Sequence, residues 1–169
     1  GVSSVHWSNI ELDDSFEHDL LQLSVSDGEF DGRSLPIYHL KGTGQKPIKI
    51  RGVKTLETDA IYYFENLWID NTLTIPSGQL KVENCAIRKV QLSDNSLEQA
   101  VLEAKSCLFK VFTVASGRVN LEYCTVLNDV IAETFYVTDS LLGGLVARGH
   151  DTDPEDLLLP SKGCIRYCG

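Results

Sequence analysis

Apolar and polar residues alternate in four stretches that share one phrase: LKVENCAI (80–87), LEAKSCLF (102–109), VNLEYCTV (119–126) and FYVTDSLL (135–142). Aligned on Cys85, Cys107, Cys124 and Ser140, their apolar residues fall into columns. Leu80, Leu102, Val119 and Phe135 form one, Val82, Ala104, Leu121 and Val137 a second, and Ile87, Phe109, Val126 and Leu142 a third. The copies are 22, 17 and 16 residues apart. Alternation places successive side chains on opposite faces of a strand, and a repeat near 20 residues brings each strand back beside the last, about 4.8 Å away. The pattern predicts an all-β chain, a parallel β-helix in which no coil can bury its apolar face alone.

The same pattern extends toward the N-terminus. In FENLWIDNTLTI, Phe64, Leu67 and Ile69 fall in the columns of Val82, Cys85 and Ile87, and Ile48 to Val53 reads as the strand before it. Leu21, Leu23 and Val25 alternate as a strand, and VSDGEFDG (25–32) has the shape of VTDSLLGG (137–144), so the coils are expected to start here, with Leu35, Ile37 and His39 continuing the first one. About seven coils result over residues 21–146. Residues 1–20 are expected to cap the open end, Asp14 and Glu17 forming a capping box for a short helix to Leu20. Residues 147–169 change character: ARGHDTDPEDLLLPSKG reads as an acidic loop, followed by GCIRYCG (163–169) as a last strand.

Composition narrows the function. With 43% hydrophobic and 23% charged residues, the chain has the balance of one soluble domain or a piece of a larger protein. No apolar run approaches the roughly 18 residues a membrane span needs, so no membrane insertion is expected. A net charge of −9 argues against nucleic acid, whose binding is driven by Lys and Arg neutralising phosphates. GVSSVHWSNIE lacks the basic and apolar regions of a signal peptide, and the compartment stays open.

The polar positions form rows. Lys81, Glu103, Asn120 and Tyr136 should share one exposed row, and Glu83, Lys105, Glu122 and Thr138 the next. Acid then faces Lys from coil to coil, an ordinary cross-strand pairing worth roughly 0.2–1 kcal/mol each, in place of the converging carboxylates an active site requires. Cys85, Cys107 and Cys124 should stack as buried thiols acting as small hydrophobes, with Cys164 and Cys168 apart from them. None of the five cysteines follows a metal-binding spacing. Asp151, Asp153, Glu155 and Asp156 beside His150 read as a solvated acidic loop because they lack EF-hand spacing, and GTGQKP reads as a turn because Pro47 stands where a phosphate loop needs Ser or Thr. His6, His18 and His39 have no partner at a motif spacing. Trp7, Trp68, Tyr62 and Tyr63 are the candidates for stacking on a sugar ring or for packing as wall or cap aromatics. No catalytic, cofactor-binding or metal residue is expected.

The second half, from FENLWIDNTLTI through LEYCTVLNDV and VTDSLLGG to GCIRY, resembles the C-terminal right-handed β-helix region of large uncharacterised bacterial proteins, which carry LxxxxCTVxG repeats followed by GC[IV]R[FY]. The match covers about residues 62–168. Asn128 departs from the usual Gly, and Cys168 from a Ser. That group in turn resembles proteins encoded with phage-tail-like contractile injection systems. The resemblance implies a structural or target-recognition module in a larger assembly, with a protein partner or a glycan, and brings no catalytic residues. A carbohydrate-active enzyme of the pectinase-like or tailspike class is the alternative, since the fold hosts many such activities.

Overall fold

A computed structural model describes residues 10–12, 20–30, 32–53, 60–75, 79–92, 101–114, 118–131, 134–144, 146–147 and 162–166. Every regular element among them is a strand. In chain order these are β1 (Ile10–Leu12), β2 (Leu21–Phe30), β3 (Arg33–Gly42), β4 (Ile48–Val53), β5 (Ile61–Glu65), β6 (Leu67–Ile75), β7 (Gln79–Glu83), β8 (Ala86–Leu92) and β9 (Val101–Lys105). They continue as β10 (Leu108–Val114), β11 (Arg118–Glu122), β12 (Thr125–Val126), β13 (Val130–Ile131), β14 (Thr134–Thr138), β15 (Leu141–Leu142), β16 (Val146–Ala147) and β17 (Lys162–Arg166). The chain is a β-solenoid. Strands alternate between two sheets, one ordered β17-β14-β11-β9-β7-β5-β3-β2 and the other running β1-β4-β6-β8-β10-β12-β15. We call them the first and second sheet.

Period-2 alternation sets the register. In the first sheet Tyr62, Leu80, Leu102, Val119 and Phe135 pair in sequence, as do Phe64, Val82, Ala104, Leu121 and Val137. Across the core, Ile50, Ile69, Ile87, Phe109, Val126 and Leu142 form the facing stack of the second sheet. Most of these side chains are buried in one continuous core, with Phe64, Ile69 and Phe109 fully so. A fully buried aromatic or aliphatic side chain contributes roughly 1.5–3 kcal/mol by leaving water, so the stack is the main source of coil-to-coil cohesion.

Between the two sheets the chain turns at one residue with positive φ: Asn66, Asn84, Ser106, Tyr123 and Asp139 in successive coils. Asn and Asp tolerate this conformation, whereas Ser106 and Tyr123 occupy it because the stacked neighbours impose it. The hydrogen-bond ladder does not break at the corner: the amides of Asn66, Asn84, Ser106, Tyr123 and Asp139 donate to the carbonyls of Glu83, Lys105, Glu122, Thr138 and Arg166 in the next coil. Coils also approach closely just past β15. A Cβ on Gly144 would sit 2.6 Å from the Asn128 carbonyl carbon, which explains the glycine pair in VTDSLLGG.

The N-terminal end departs from expectation. β2 pairs with β3 antiparallel, Leu21 opposite Gly42 and Phe30 opposite Arg33, so this stretch is a hairpin and VSDGEFDG is not a coil corner like VTDSLLGG. Gly32, at φ 72°, lies at its turn. The first strand in the parallel stack is β3, pairing with β5, and its inward residues are Tyr38 and Leu40, with Ile37 and His39 on the other face. At the other end Lys162–Arg166 joins the first sheet, parallel to β14. The expected capping helix and the acidic loop lie outside the described residues, apart from Leu20, whose carbonyl accepts hydrogen bonds from the Thr43 amide and hydroxyl.

Candidate functional site

The outer face of the first sheet carries the two polar rows in the expected register. Lys81 pairs with Glu103 and then Asn120 and Tyr136, and Glu83 with Lys105, Glu122 and Thr138. The ions meet across the ladder at 3.9 Å for Lys81–Glu103 and 3.9 Å for Lys105–Glu122. One junction needs another solution, because Glu65 lies directly opposite Glu83 and like charges in that position repel. Glu65 is taken by the Lys41 ammonium at 2.9 Å and the His39 ring at 3.2 Å, and the hydrogen bond from Lys41 is the main reason its carboxyl stays below its ordinary pKa. Glu83 instead accepts a 2.7 Å hydrogen bond from the Tyr63 hydroxyl. Partial burial, then that bond, raises the Tyr63 pKa above the ordinary phenol value. His39 stacks on Tyr63 at 4.5 Å, so both residues serve to separate two acids.

This face is a groove of about 830 Å³ running over Tyr63, Lys81, Glu103, Asn120 and Tyr136. It brings Glu83, Glu103 and Glu122 from three successive coils to one surface. The Asn120 Oδ1 atom is buried in it without a hydrogen-bond partner.

The cysteine column is buried and reduced, with Cys85, Cys107 and Cys124 free. It does more than fill space. Each thiol donates to the carbonyl two residues before it, at 3.2 Å for Cys85 to Glu83, 3.1 Å for Cys107 to Lys105 and 3.3 Å for Cys124 to Glu122. The Cys85 amide also donates to Cys107 Sγ, at 3.5 Å. Ser140, in the same column, repeats the device with oxygen: it donates to the Thr138 carbonyl at 2.8 Å and accepts from the Cys124 amide at 3.0 Å. For Cys107 the bond with Cys124 acts downward, but the bond with Cys85 and burial outweigh it and push the thiol up to about 12. The Cys124 thiol is pushed higher still, first by its bond with Cys107 and then by burial. Thiolate chemistry is suppressed at Cys107 and Cys124.

On the outer face of the second sheet one row reads Lys49, Trp68, Ala86, Leu108, Thr125 and Leu141. Trp68 is 44% exposed, Leu108 43% and Leu141 55%. Trp68 is thus neither core nor cap. Lys49 Nζ lies 4.7 Å from the centre of its ring and 4.0 Å from Asp70. Ala86 between Trp68 and Leu108 leaves a notch of about 410 Å³ with Asp70, Arg88, Lys110 and Leu127 around it.

Of the other residues read from the sequence, Tyr62 is buried and packs edge-on against Phe64. Thr43–Pro47 is the link from β3 to β4. Trp7, His6, His18, the acidic residues 150–156 and Cys168 lie outside the described residues, and the side chain of Cys164 is likewise not described. Among the described residues no three His, Cys, Asp or Glu side chains are grouped to hold a metal, and no helix is long and apolar enough to cross a membrane. No family model, curated protein or solved structure matches the chain. The case for function therefore rests on the two outer faces.

Proposed function

We propose that this chain is a non-enzymatic structural or target-recognition module of a larger bacterial or phage-tail-like assembly, as the resemblance of its repeats implies, presenting a stiff surface to a protein partner or a glycan. The observation that carries the proposal is the ion pairing of Lys41, Lys81 and Lys105 with Glu65, Glu103 and Glu122 across the first sheet, which commits these side chains to one another along the solenoid. In this reading the described strands belong to a right-handed parallel β-helix of about seven coils, closed at its N-terminal end by residues 1–20. The test is incubation of the purified chain with bacterial polysaccharides, scored by new reducing ends. A release rate equal to buffer supports a recognition or structural module; sustained release contradicts it.

The convergence of Glu83, Glu103 and Glu122 in the groove favours a second reading, a carbohydrate-active enzyme of the pectinase-like or tailspike class, in which paired carboxylates share acid and base work. Under that reading Glu103→Gln or Glu122→Gln abolishes turnover and leaves the fold intact.

A further inference from the structure

The notch on the second sheet is built by a size difference along one row. Trp68 and Leu108 stand on β6 and β10, with the methyl group of Ala86 on β8 between them. Two strand spacings separate the walls, roughly 10 Å. A saturated ring touching both sides needs about 7–8 Å, twice a normal carbon contact. The indole supplies an apolar wall for the C–H face of such a ring. Beside it runs a row that is mostly basic, Asp70, Arg88 and Lys110 on β6, β8 and β10; Arg88 and Lys110 are exposed and have no ion-pair partner among the described residues. On the first sheet Lys41, Lys81 and Lys105 are all ion-paired. Asp70, at the β6 end of that row, is within ion-pair reach of Lys49 and keeps oxygens free to accept from hydroxyls.

We infer that this notch binds an acidic sugar, the ring lying against Trp68 over Ala86 and its carboxylate facing Arg88 and Lys110. The inference rests on the recognition reading above and supplies its face and ligand class. Two cations unpaired among the described residues, on a chain of net charge −9, favour a single carboxylate, whereas a nucleic acid needs many phosphates neutralised at once. A neutral sugar would fill the notch and leave both cations without a partner. Successive acidic residues of a polymer could follow the row toward Leu141, along the solenoid axis.

The experiment is affinity electrophoresis of the chain in gels containing polygalacturonate as the acidic probe, dextran as the neutral one, and a parallel flotation assay with phosphatidylserine vesicles. The expected result is retardation by polygalacturonate alone, weakened by salt as screening shortens the reach of the cations. Ala86→Trp fills the notch from the solvent side without changing charge and should weaken retardation roughly tenfold or more, as should the Arg88→Gln/Lys110→Gln pair. Trp68→Ala, which opens the notch, should give the same loss and covers the case in which Ala86→Trp melts early. Unchanged retardation in these variants, equal retardation by dextran, absence of retardation, or flotation with vesicles each overturns the assignment. Release of reducing ends from polygalacturonate would instead overturn the recognition reading, so the two failures are told apart in the same sample.

Discussion

The two outer faces of this solenoid are built on the same ladder yet differ in what their side chains do for each other. On the first sheet the charges of the polar rows are paired with one another, Lys81 with Glu103, Lys105 with Glu122 and Lys41 with Glu65, with Tyr63 inserted where two acids meet and the Asn120 Oδ1 left over. On the second sheet Trp68, Leu108 and Leu141 stay exposed beside Arg88 and Lys110. The coil geometry dictates the inward columns and leaves the outer rows free, so a row that neutralises itself speaks for stability and a row that does not speaks for a partner.

The sharpest contrast lies within one strand. Phe109 points into the core and is fully buried, while its neighbour Leu108 points out and is 43% exposed. Phe109→Ala should cost about 3–5 kcal/mol, because it removes the aromatic contacts and leaves a cavity between stacked coils. Leu108→Ser should cost about 0.5 kcal/mol or less and should change binding instead. Urea unfolding of the two variants against the parent measures both. Similar losses would mean that the second sheet carries a covered face rather than a free one.

The cysteine column separates packing from bridging. Cys107→Ser keeps a group able to donate to the Lys105 carbonyl and accept from the Cys85 amide, as Ser140 does one end along, and should cost less than about 1 kcal/mol. Cys107→Val fills similar space but leaves the Cys85 amide unmet and the Lys105 carbonyl with only its bond from the Asn84 amide, at about 1–3 kcal/mol. A column that only filled space would reverse that order. With Cys107 pushed up to about 12, a thiol reagent near pH 8 should modify Cys85, Cys107 and Cys124 only after unfolding, read by mass mapping.

The smallest expected effect concerns acid. Lys41 holds the Glu65 carboxyl below its ordinary pKa in the folded state, so this contact adds stability above the unfolded carboxylate pKa and loses it as pH falls through the folded value. Glu65 is partly solvated, which limits the contribution to roughly 0.2–1 kcal/mol. Lys41→Ala should therefore lower the urea midpoint slightly near neutrality, and the difference should fade as pH falls below the ordinary carboxylate range and through the lowered folded value. A persistent difference in acid would point to lost packing of the Lys41 stem.

The inward columns were legible from the chain because alternation and repetition are properties of sequence: Leu80, Leu102 and Val119 announce a shared place before any fold is known. The outer rows of the first sheet followed from the same register. What was not legible depended on pairing. Leu21, Leu23 and Val25 alternate identically in a parallel or an antiparallel partner, so the hairpin of β2 and β3 could not be told from a coil. The meeting of Glu65 with Glu83, and hence the use of Tyr63, appears only when two coils are in register. Ser106 and Tyr123 carry no propensity for positive φ; the stacked corner sets it. The repeat places Trp68, Ala86, Leu108 and Thr125 in one column, but that the alanine opens a notch there shows only once the flanking side chains are in place.

Central to all of this is the assignment of alternate residues to core and surface, and the most direct test is a matched pair on β11. Leu121 is buried at 2% exposure, and the adjacent Asn120 faces the groove. Unfolding of Leu121→Asp and Asn120→Ser should be compared by urea titration under one buffer. The expected outcome is a loss of at least about 3 kcal/mol, or failure to fold, for the first, and a change within about 0.5 kcal/mol for the second. Equal losses in the two variants would contradict the register and with it the division between the columns that hold the solenoid together and the rows that face outward.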